Sequence, residues 1–169
     1  HAVDLVREGV DLALRGQARL DDSSLVAVPL MEIERVVCAS PAFWREHGLP
    51  AHPRDLPQDH CLPYLLGQDA LQWTFNGEDG RHTVEVRGRF RANNSLLLID
   101  AMRRGLGVGL VPSVMVREAL RDGSLKSVLV DFRTEPRQLF AVYPSREHLP
   151  ARVRALVDFL KDRLPRAGV

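Results

Sequence analysis

Asn93, Asn94 and Ser95 stand in series, and their residue types point at ligand chemistry. Short amide and hydroxyl side chains cap the exposed N–H groups at the start of a helix. The same turn can hydrogen-bond an anionic or carbonyl-bearing molecule. On the residues alone both readings stay open. Other chemistry-bearing residues carry less. Gly105-Leu-Gly-Val-Gly109 is glycine-rich, but a nucleotide-binding turn needs a strand before the glycines and a helix after them. Here an apolar helical stretch precedes and a β-rich run follows, so the glycines mark a helix exit. Six histidines are scattered, at positions 1, 47, 52, 60, 82 and 148. Only His60-Cys61 together with His52 hints at a metal cluster, and the spacing fits no known zinc pattern. Neither Ser113 nor Ser145 lies in a Gly-x-Ser-x-Gly turn, and no carboxylates pair at catalytic spacing. The chain is not expected to be an enzyme, nor to hold a cofactor or a metal.

The elements that must position the Asn-Asn-Ser turn run from Thr83 to Val116. Val84, Val86, Phe90 and Ala92 share one parity and Arg87, Arg89 and Arg91 the other, the alternation of a half-buried strand. Leu96, Leu97, Ile99, Ala101 and Met102 form a short helix that Gly105 is placed to end. Val108, Leu110 and Val111 read as an interior parallel strand, stopped by Pro112, with Ser113 able to cap the next helix. This is a βαβ unit with the polar turn at the end of its first strand, the edge where ligands sit in open α/β sheets.

Composition narrows the function class. The chain is 45% hydrophobic and 27% charged, with a formal net charge of +1. Polyanion binders usually carry a basic surplus, which is absent. Only Lys126 and Lys161 are lysine, so 21 of 23 basic residues are arginine. That bias runs along the whole chain and weakens any local argument from arginine, so the Arg87, Arg89 and Arg91 stripe reads as a solvated strand face ahead of a surface for nucleic acid or a partner's acidic face. No apolar run approaches the roughly 20 residues of a membrane span, and the first residues do not read as a signal peptide. Cys38 and Cys61 lack CxxC spacing and read as reduced, buried small hydrophobes in a cytoplasmic protein.

Taken in order, His1–Glu8 has helical spacing and Val10–Leu14 alternates as a strand. A lobe seldom opens this way, which suggests an N-terminus that is truncated. Gly16–Ser24 is a polar loop. Leu25–Ser40 is one long extended segment in which Pro29 marks a bend or an edge. Ser40-Pro41 pairs an N-cap with an N1 proline and opens the helix PAFWREHG. Leu49–Leu62 is proline-rich, with room for short helical turns only. Trp73–Phe75 is a strand, with turns at Asn76-Gly77 and Asp79-Gly80. Beyond the βαβ unit come a helix over 114–121, a strand region at Leu125–Val130, a polar link over 131–137 and a strand at Leu139–Tyr143. The last helix, over 150–164, carries Val153, Leu156, Val157, Leu160 and Leu164 on one face.

The segments VDLVREGVDLALRG, SSLVAVPL with RVVCASPAFWREHG, RANNS with RRGLGVGLVP, and LFAVYPSREHLPARVRALVDFL resemble the effector-binding region of LysR-type transcriptional regulators. The resemblance covers essentially the whole chain. It implies an α/β fold of two lobes, like type II periplasmic binding proteins, each a mixed sheet flanked by helices. The first lobe would comprise 1–34 and 138–165, incomplete at its N-terminus, and the second 35–137. A small effector, read as an organic acid, would bind in the cleft between them, and the subunits would pair as a homodimer or tetramer. Operator DNA would be bound only through a winged helix-turn-helix outside this chain. The resemblance places Asn93, Asn94 and Ser95 in the effector cleft. Arg15 and Gly16, at a first-lobe strand end, are placed to meet a carboxylate, though an arginine there also serves as a solvated surface group. Ser40, Pro41, Val111 and Pro112 are placed to line the cleft from the second lobe, each with a plain capping or packing role besides. A solute-binding protein of a transporter is the alternative on the same architecture.

Overall fold

A computed structural model describes residues 4–5, 7–17, 25–65, 70–144 and 150–167. In chain order its strands are β1 (Ala13–Gln17), β2 (Leu25–Ile33), β3 (Arg35–Ala39), β4 (Gln72–Gly77), β5 (Gly80–Glu85), β6 (Gly109–Pro112), β7 (Lys126–Val128), β8 (Arg133–Thr134) and β9 (Arg137–Pro144). The α-helices are α1 (Pro41–His47), α2 (Ser95–Arg103), α3 (Ser113–Arg121) and α4 (Ala151–Ala167), with 3-10 turns at Pro53–Asp55 and Gln58–His60. The described residues divide into two compact units, one drawn from His1–Ile33 with Pro136–Val169 and the other spanning Glu34–Glu135.

The first unit is an antiparallel sheet in the order β1-β9-β2 with α4 on one face. Pro29 lies on the edge strand β2, where its missing N–H is tolerated. The register shifts between Pro29 and Met31, turning the extra residue, Leu30, into the core. Val153 and Val157 of α4 bury against Ala141 and Leu30, flanked by Leu160 and Leu164. Leu156, expected on that face, is 44% exposed. At 100° per residue it falls beside the stripe defined by Val153, Val157, Leu160 and Leu164 rather than within it. The expected N-terminal helix is absent among the described residues. Leu5 and Arg7–Gly9 form turns, and the Val10 N–H donates to the Leu5 carbonyl at 2.9 Å. The strand begins at Ala13, three residues later than the alternation suggested. Val3, Val6, residues 18–24, Ser145 and His148 lie outside the described residues, as does His1.

In the second unit β3 is central to a sheet in the order β6-β3-β7, all antiparallel. Two parallel bridges widen it: Cys61 with Val108, and Tyr64 with Ala92. The Leu62 N–H donates to the Val108 carbonyl at 2.8 Å and the Val108 N–H to the His60 carbonyl at 3.0 Å. On the other side the Leu65 N–H donates to the Ala92 carbonyl at 2.8 Å. The stretch 60–65 therefore runs between Ala92 and Val108, parallel to both. This corrects the expected βαβ unit: its two strands share a direction but are not neighbours, and each parallel contact is a single bridge. The close passage is allowed by two glycines. A Cβ at Gly88 would meet the Cys61 carbonyl oxygen at 1.5 Å, and one at Gly107 would meet that of His60 at 2.0 Å.

A separate antiparallel sheet, β5-β4-β8, completes this unit. Gly77 pairs with Gly80, so the chain reverses at Glu78-Asp79 rather than at the two expected glycine turns. Val84, Val86 and Ala92 are buried and Arg87, Arg89 and Arg91 exposed, but only the first part of this alternating run forms strand. Ser40 caps α1 as expected, its Oγ accepting the Phe43 N–H at 3.2 Å. Ser113 does not cap α3: it is the first helical residue, after Pro112, and its N–H donates to the Glu34 carbonyl at 2.9 Å. Among the described residues no helix is long and apolar enough to cross a membrane.

Candidate functional site

The Asn93–Ser95 turn sits where Ala92 leaves its bridge and α2 begins. Asn94 is the N-cap, with extended backbone, and its Oδ1 accepts the N–H groups of Leu96 at 2.9 Å and Leu97 at 3.4 Å. That oxygen is committed to the helix. The Nδ2 protons of Asn94 are left for a ligand, together with the exposed Asn93 amide and the half-buried Ser95 hydroxyl. Leu98, Ile99, Ala101 and Met102 bury the inner face of α2, leaving Leu96 67% and Leu97 50% exposed beside the polar turn. Polar donors next to apolar surface suit a small molecule with an anionic head and an apolar body. Gly105, at φ 78, ends the helix with its N–H on the Met102 carbonyl.

Sheet direction decides which other residues can join this turn. Ala92, Tyr64 and β6 run in parallel, so Asn93 and Pro112 emerge at the same edge. β3 runs against β6, pairing Arg35 with Pro112 and Cys38 with Gly109. Its start, Glu34-Arg35, therefore lies at the edge of the Asn93–Ser95 turn, and its end, Ala39-Ser40, at the opposite edge. Ser40 and Pro41 are a correction: they stand beside the far end of α2. A Cβ on Gly105 would meet Ser40 Oγ at 3.5 Å, and a nine-residue helix is about 13 Å long. Ser40 is 4% exposed and occupied with its cap. Val111 is a second correction. At 1% exposure it packs in the core with Leu98 and Met102 and lines no surface. Pro112 is half-buried at the correct edge.

Arg35 is the residue that sequence reasoning passed over. The antiparallel register brings it to the same sheet edge as the polar turn, half-buried, with Nη2 donating to the Glu135 carbonyl at 3.4 Å. Its signal in the sequence was weak, because arginines are everywhere. In the first unit, Arg15 and Gly16 lie inside β1, opposite Phe140 and Leu139, not after the strand as expected. Arg15 is half-buried, and a Cβ at Gly16 would meet Ile33 Cδ1 at 3.2 Å.

The expected histidine grouping also changes. His60 packs against His47, with ring centroids 4.8 Å apart, while His52 meets Asp79 and His82. The cysteines are buried, and burial pushes both thiols up to about 12, which keeps them protonated and unreactive near neutrality.

Residues 1–165 match the family described as the LysR substrate binding domain. A probable HTH-type transcriptional regulator of Klebsiella pneumoniae, LtrA, is 34% identical over 166 residues, covering 96% of this chain and 53% of the relative. The full-length structure of the Vibrio cholerae virulence activator AphB superposes with a TM-score of 0.79 at 34% identity, over 96% of this chain and 55% of that one. The regulatory domain of CrgA from Neisseria meningitidis gives a TM-score of 0.81 at 26% identity, over 95% of this chain and 78% of that one. The chain thus spans about half the length of the curated relatives it matches.

Proposed function

Because this chain belongs to the LysR substrate binding domain family, we propose that it is the effector-sensing part of a bacterial transcription regulator acting in the cytoplasm. The effector is a small organic acid. Its carboxylate meets the Asn93, Asn94 and Ser95 side chains at the start of α2, and Arg35 lies at the same sheet edge. The observation that carries this reading is the turn itself: a helix start with exposed amide donors and a half-buried hydroxyl beside two exposed leucines. A helix N-terminus and a guanidinium both favour negative charge. Leu96 and Leu97 offer apolar surface to the rest of the molecule. Arg15 and Gly16 of the first unit, both on β1, are further candidates for a carboxylate.

Binding regulates only through differential affinity for two states of the protein. The homodimer or tetramer of the full protein, and operator DNA held by a helix-turn-helix outside these residues, belong to the same proposal. The relatives bear regulator names, which favours this reading over a transporter's solute receptor or an enzyme.

The test uses the full-length protein. Small carboxylic acids are screened by thermal shift, and hits are measured by calorimetry. Replacing Asn93 and Ser95 together by alanine should weaken a hit by roughly ten- to a hundred-fold, the loss of one or two hydrogen bonds to a charged group. The melting temperature should barely move. A screen without carboxylate hits, or hits that bind the double variant unchanged, would overturn the assignment.

A further inference from the structure

His52, Asp79 and His82 are brought together by three separate pieces of the second unit. His52 precedes the 3-10 turn Pro53–Asp55, Asp79 is at the tip of the β4–β5 hairpin, and His82 follows three residues later on β5. His82 Nε2 is 2.8 Å from Asp79 Oδ1, and His52 Nε2 is 3.2 Å from Asp79 Oδ2. All three donor atoms lie within 4.8 Å of one another. We propose that these residues bind a divalent transition-metal ion, with copper, nickel and zinc preferred and magnesium refused.

Two imidazole nitrogens and one carboxylate form the ligand set these ions take, whereas magnesium demands oxygen donors and keeps its water. The spacing is close to what an ion requires. Two donors at about 2.05 Å from a tetrahedral zinc stand about 3.3 Å apart. His52 faces Oδ2 and His82 faces Oδ1, so one imidazole must shift to share a single carboxylate oxygen, and the donor set, within 4.8 Å, must tighten by up to about 1.5 Å. A solvent molecule would complete the shell on the side where Asp79 is 52% exposed.

The rings are also held in place. Their side chains are 19% and 20% exposed, and they meet edge to face at a centroid distance of 4.4 Å. Phe132 packs against both, at 5.1 and 5.9 Å. It is seated over Gly77, where a Cβ would meet Phe132 Cε1 at 2.7 Å. The loop that delivers Phe132 passes through Leu129 at φ 56, the one non-glycine residue with positive φ among those described. Such strained positions cluster where a geometry is being imposed.

Arg54 opposes the ion. Its Nε and its backbone N–H donate to His52 Nδ1, at 2.9 and 3.2 Å. With Nδ1 accepting, the ring proton sits on Nε2, where it donates to Asp79. Metal binding needs that Nε2 lone pair, so the proton must move to Nδ1 and the exposed Arg54 side chain must swing away. Arg54 therefore competes with the metal, and removing it should tighten binding.

The 169-residue chain, freed of metal with a chelator, is titrated with zinc by calorimetry and with cobalt by its visible spectrum. One ion per chain should bind with micromolar affinity, zinc should raise the melting temperature, and magnesium should do neither. His82→Gln and Asp79→Asn should each weaken binding about tenfold or more, and Arg54→Ala should strengthen it several-fold. His60→Gln, at the other histidine pair, should change nothing. In the unaltered chain, copper should broaden the amide resonances of Gly80, Thr83 and Phe132 first. This map decides the matter even if the variants fail to fold. No saturable zinc binding below about 100 μM, broadening centred elsewhere, or full affinity in folded His82→Gln and Asp79→Asn would each overturn the proposal.

Discussion

Gly107→Ala isolates what holds the second unit's sheet together. Its Cβ would stand 2.0 Å from the His60 carbonyl oxygen and 3.1 Å from the His60 carbonyl carbon, against an ordinary contact that begins at 3.4 Å. The obstruction is backbone, so no rotamer relieves it, and the carbonyl must retreat by about 1.4 Å. That oxygen accepts the Val108 N–H, and Leu62 N–H donates back to Val108, at 3.0 and 2.8 Å. Moving it breaks the bridge joining 60–65 to β6. Two buried hydrogen bonds at about 1 kcal/mol each, plus about 1–3 kcal/mol of overpacking, give a loss of about 3–5 kcal/mol. For a chain of this length the melting temperature should fall by roughly 6–20 °C, read by circular dichroism. Gly109→Ala is the control. There the nearest atom is Met102 Sδ at 2.3 Å, on a flexible side chain, so the loss should be clearly smaller. A Gly107→Ala protein that melts within about 2 °C of its parent would refute the reasoning, because it would mean the bridge does not carry the sheet.

Asn94 separates capping from recognition. Asn94→Ala should cost about 1 kcal/mol, the ordinary value of a lost N-cap, seen as a small drop in urea midpoint. Asn94→Asp keeps the cap oxygen and adds a charge that suits the helix start. It should be as stable as the parent yet bind an anionic effector markedly less well, and unchanged affinity would place the effector elsewhere. The buried cysteines predict a dependence on alkaline pH. Burial raises both thiols from 9.0 to about 12 in the folded chain, so their stabilisation is complete below pH 9 and is lost as pH rises towards the folded value. The slope approaches about 1.4 kcal/mol per pH unit for each thiol above pH 10, and the loss between pH 9 and 10 is about 1 kcal/mol for each. Urea unfolding at pH 9 and 10 should show it, and the slope should shrink by half in Cys61→Ala. An equal slope in that variant would assign the loss to other groups.

Local signals in the chain were read well where a single residue decides the outcome. Ser40-Pro41 starts α1, Gly105 ends α2, and Pro29 sits on an edge strand with an irregular register. What eluded the sequence is pairing. Residues 60–65 show neither period 2 nor period 3.6 and contain Pro63, so nothing announces a segment running between Ala92 and Val108. Once that insertion is missed, the two strands of the βαβ unit look adjacent. The edge to which each site residue belongs cannot then be worked out. Ser40 and Pro41 share a strand-end position with Asn93–Ser95, a local likeness that ignores the reversed direction of β3. Leu96 and Leu97 belong to the same apolar helical run as the buried residues of α2, yet both are exposed. In a run of three leucines ahead of Ile99, only Leu98 shares the buried face of α2 with Ala101 and Met102. The His52, Asp79 and His82 cluster joins residues up to 30 positions apart through a hairpin register, which spacing alone cannot show.

The edge proposed for the effector has a consequence for signalling. Glu34 and Arg35 at one crossing, and Glu135 at the other, are tied to that same edge of the second unit. Ser113 N–H holds the Glu34 carbonyl, Arg35 reaches the Glu135 carbonyl, and Arg81 pairs with the Glu135 carboxylate at 3.1 Å. An effector long enough to carry a second anionic group from the Asn93–Ser95 turn across three strand spacings, about 14 Å, would compete with the Glu135 carbonyl for the Arg35 guanidinium. Because a charge-assisted bond to a carboxylate outweighs one to a neutral carbonyl, the arginine would favour the ligand. The crossing would lose a restraint just as the site fills. The contact being exchanged is worth about 1–3 kcal/mol, a population shift of roughly five- to a hundred-fold. That range suffices for a regulator and needs no chain of packed residues leading away from the site. Arg35→Gln should therefore weaken the effector and, at saturating effector, also blunt the response of the full-length protein. A variant that lost affinity alone would show Arg35 to be a ligand contact and nothing more.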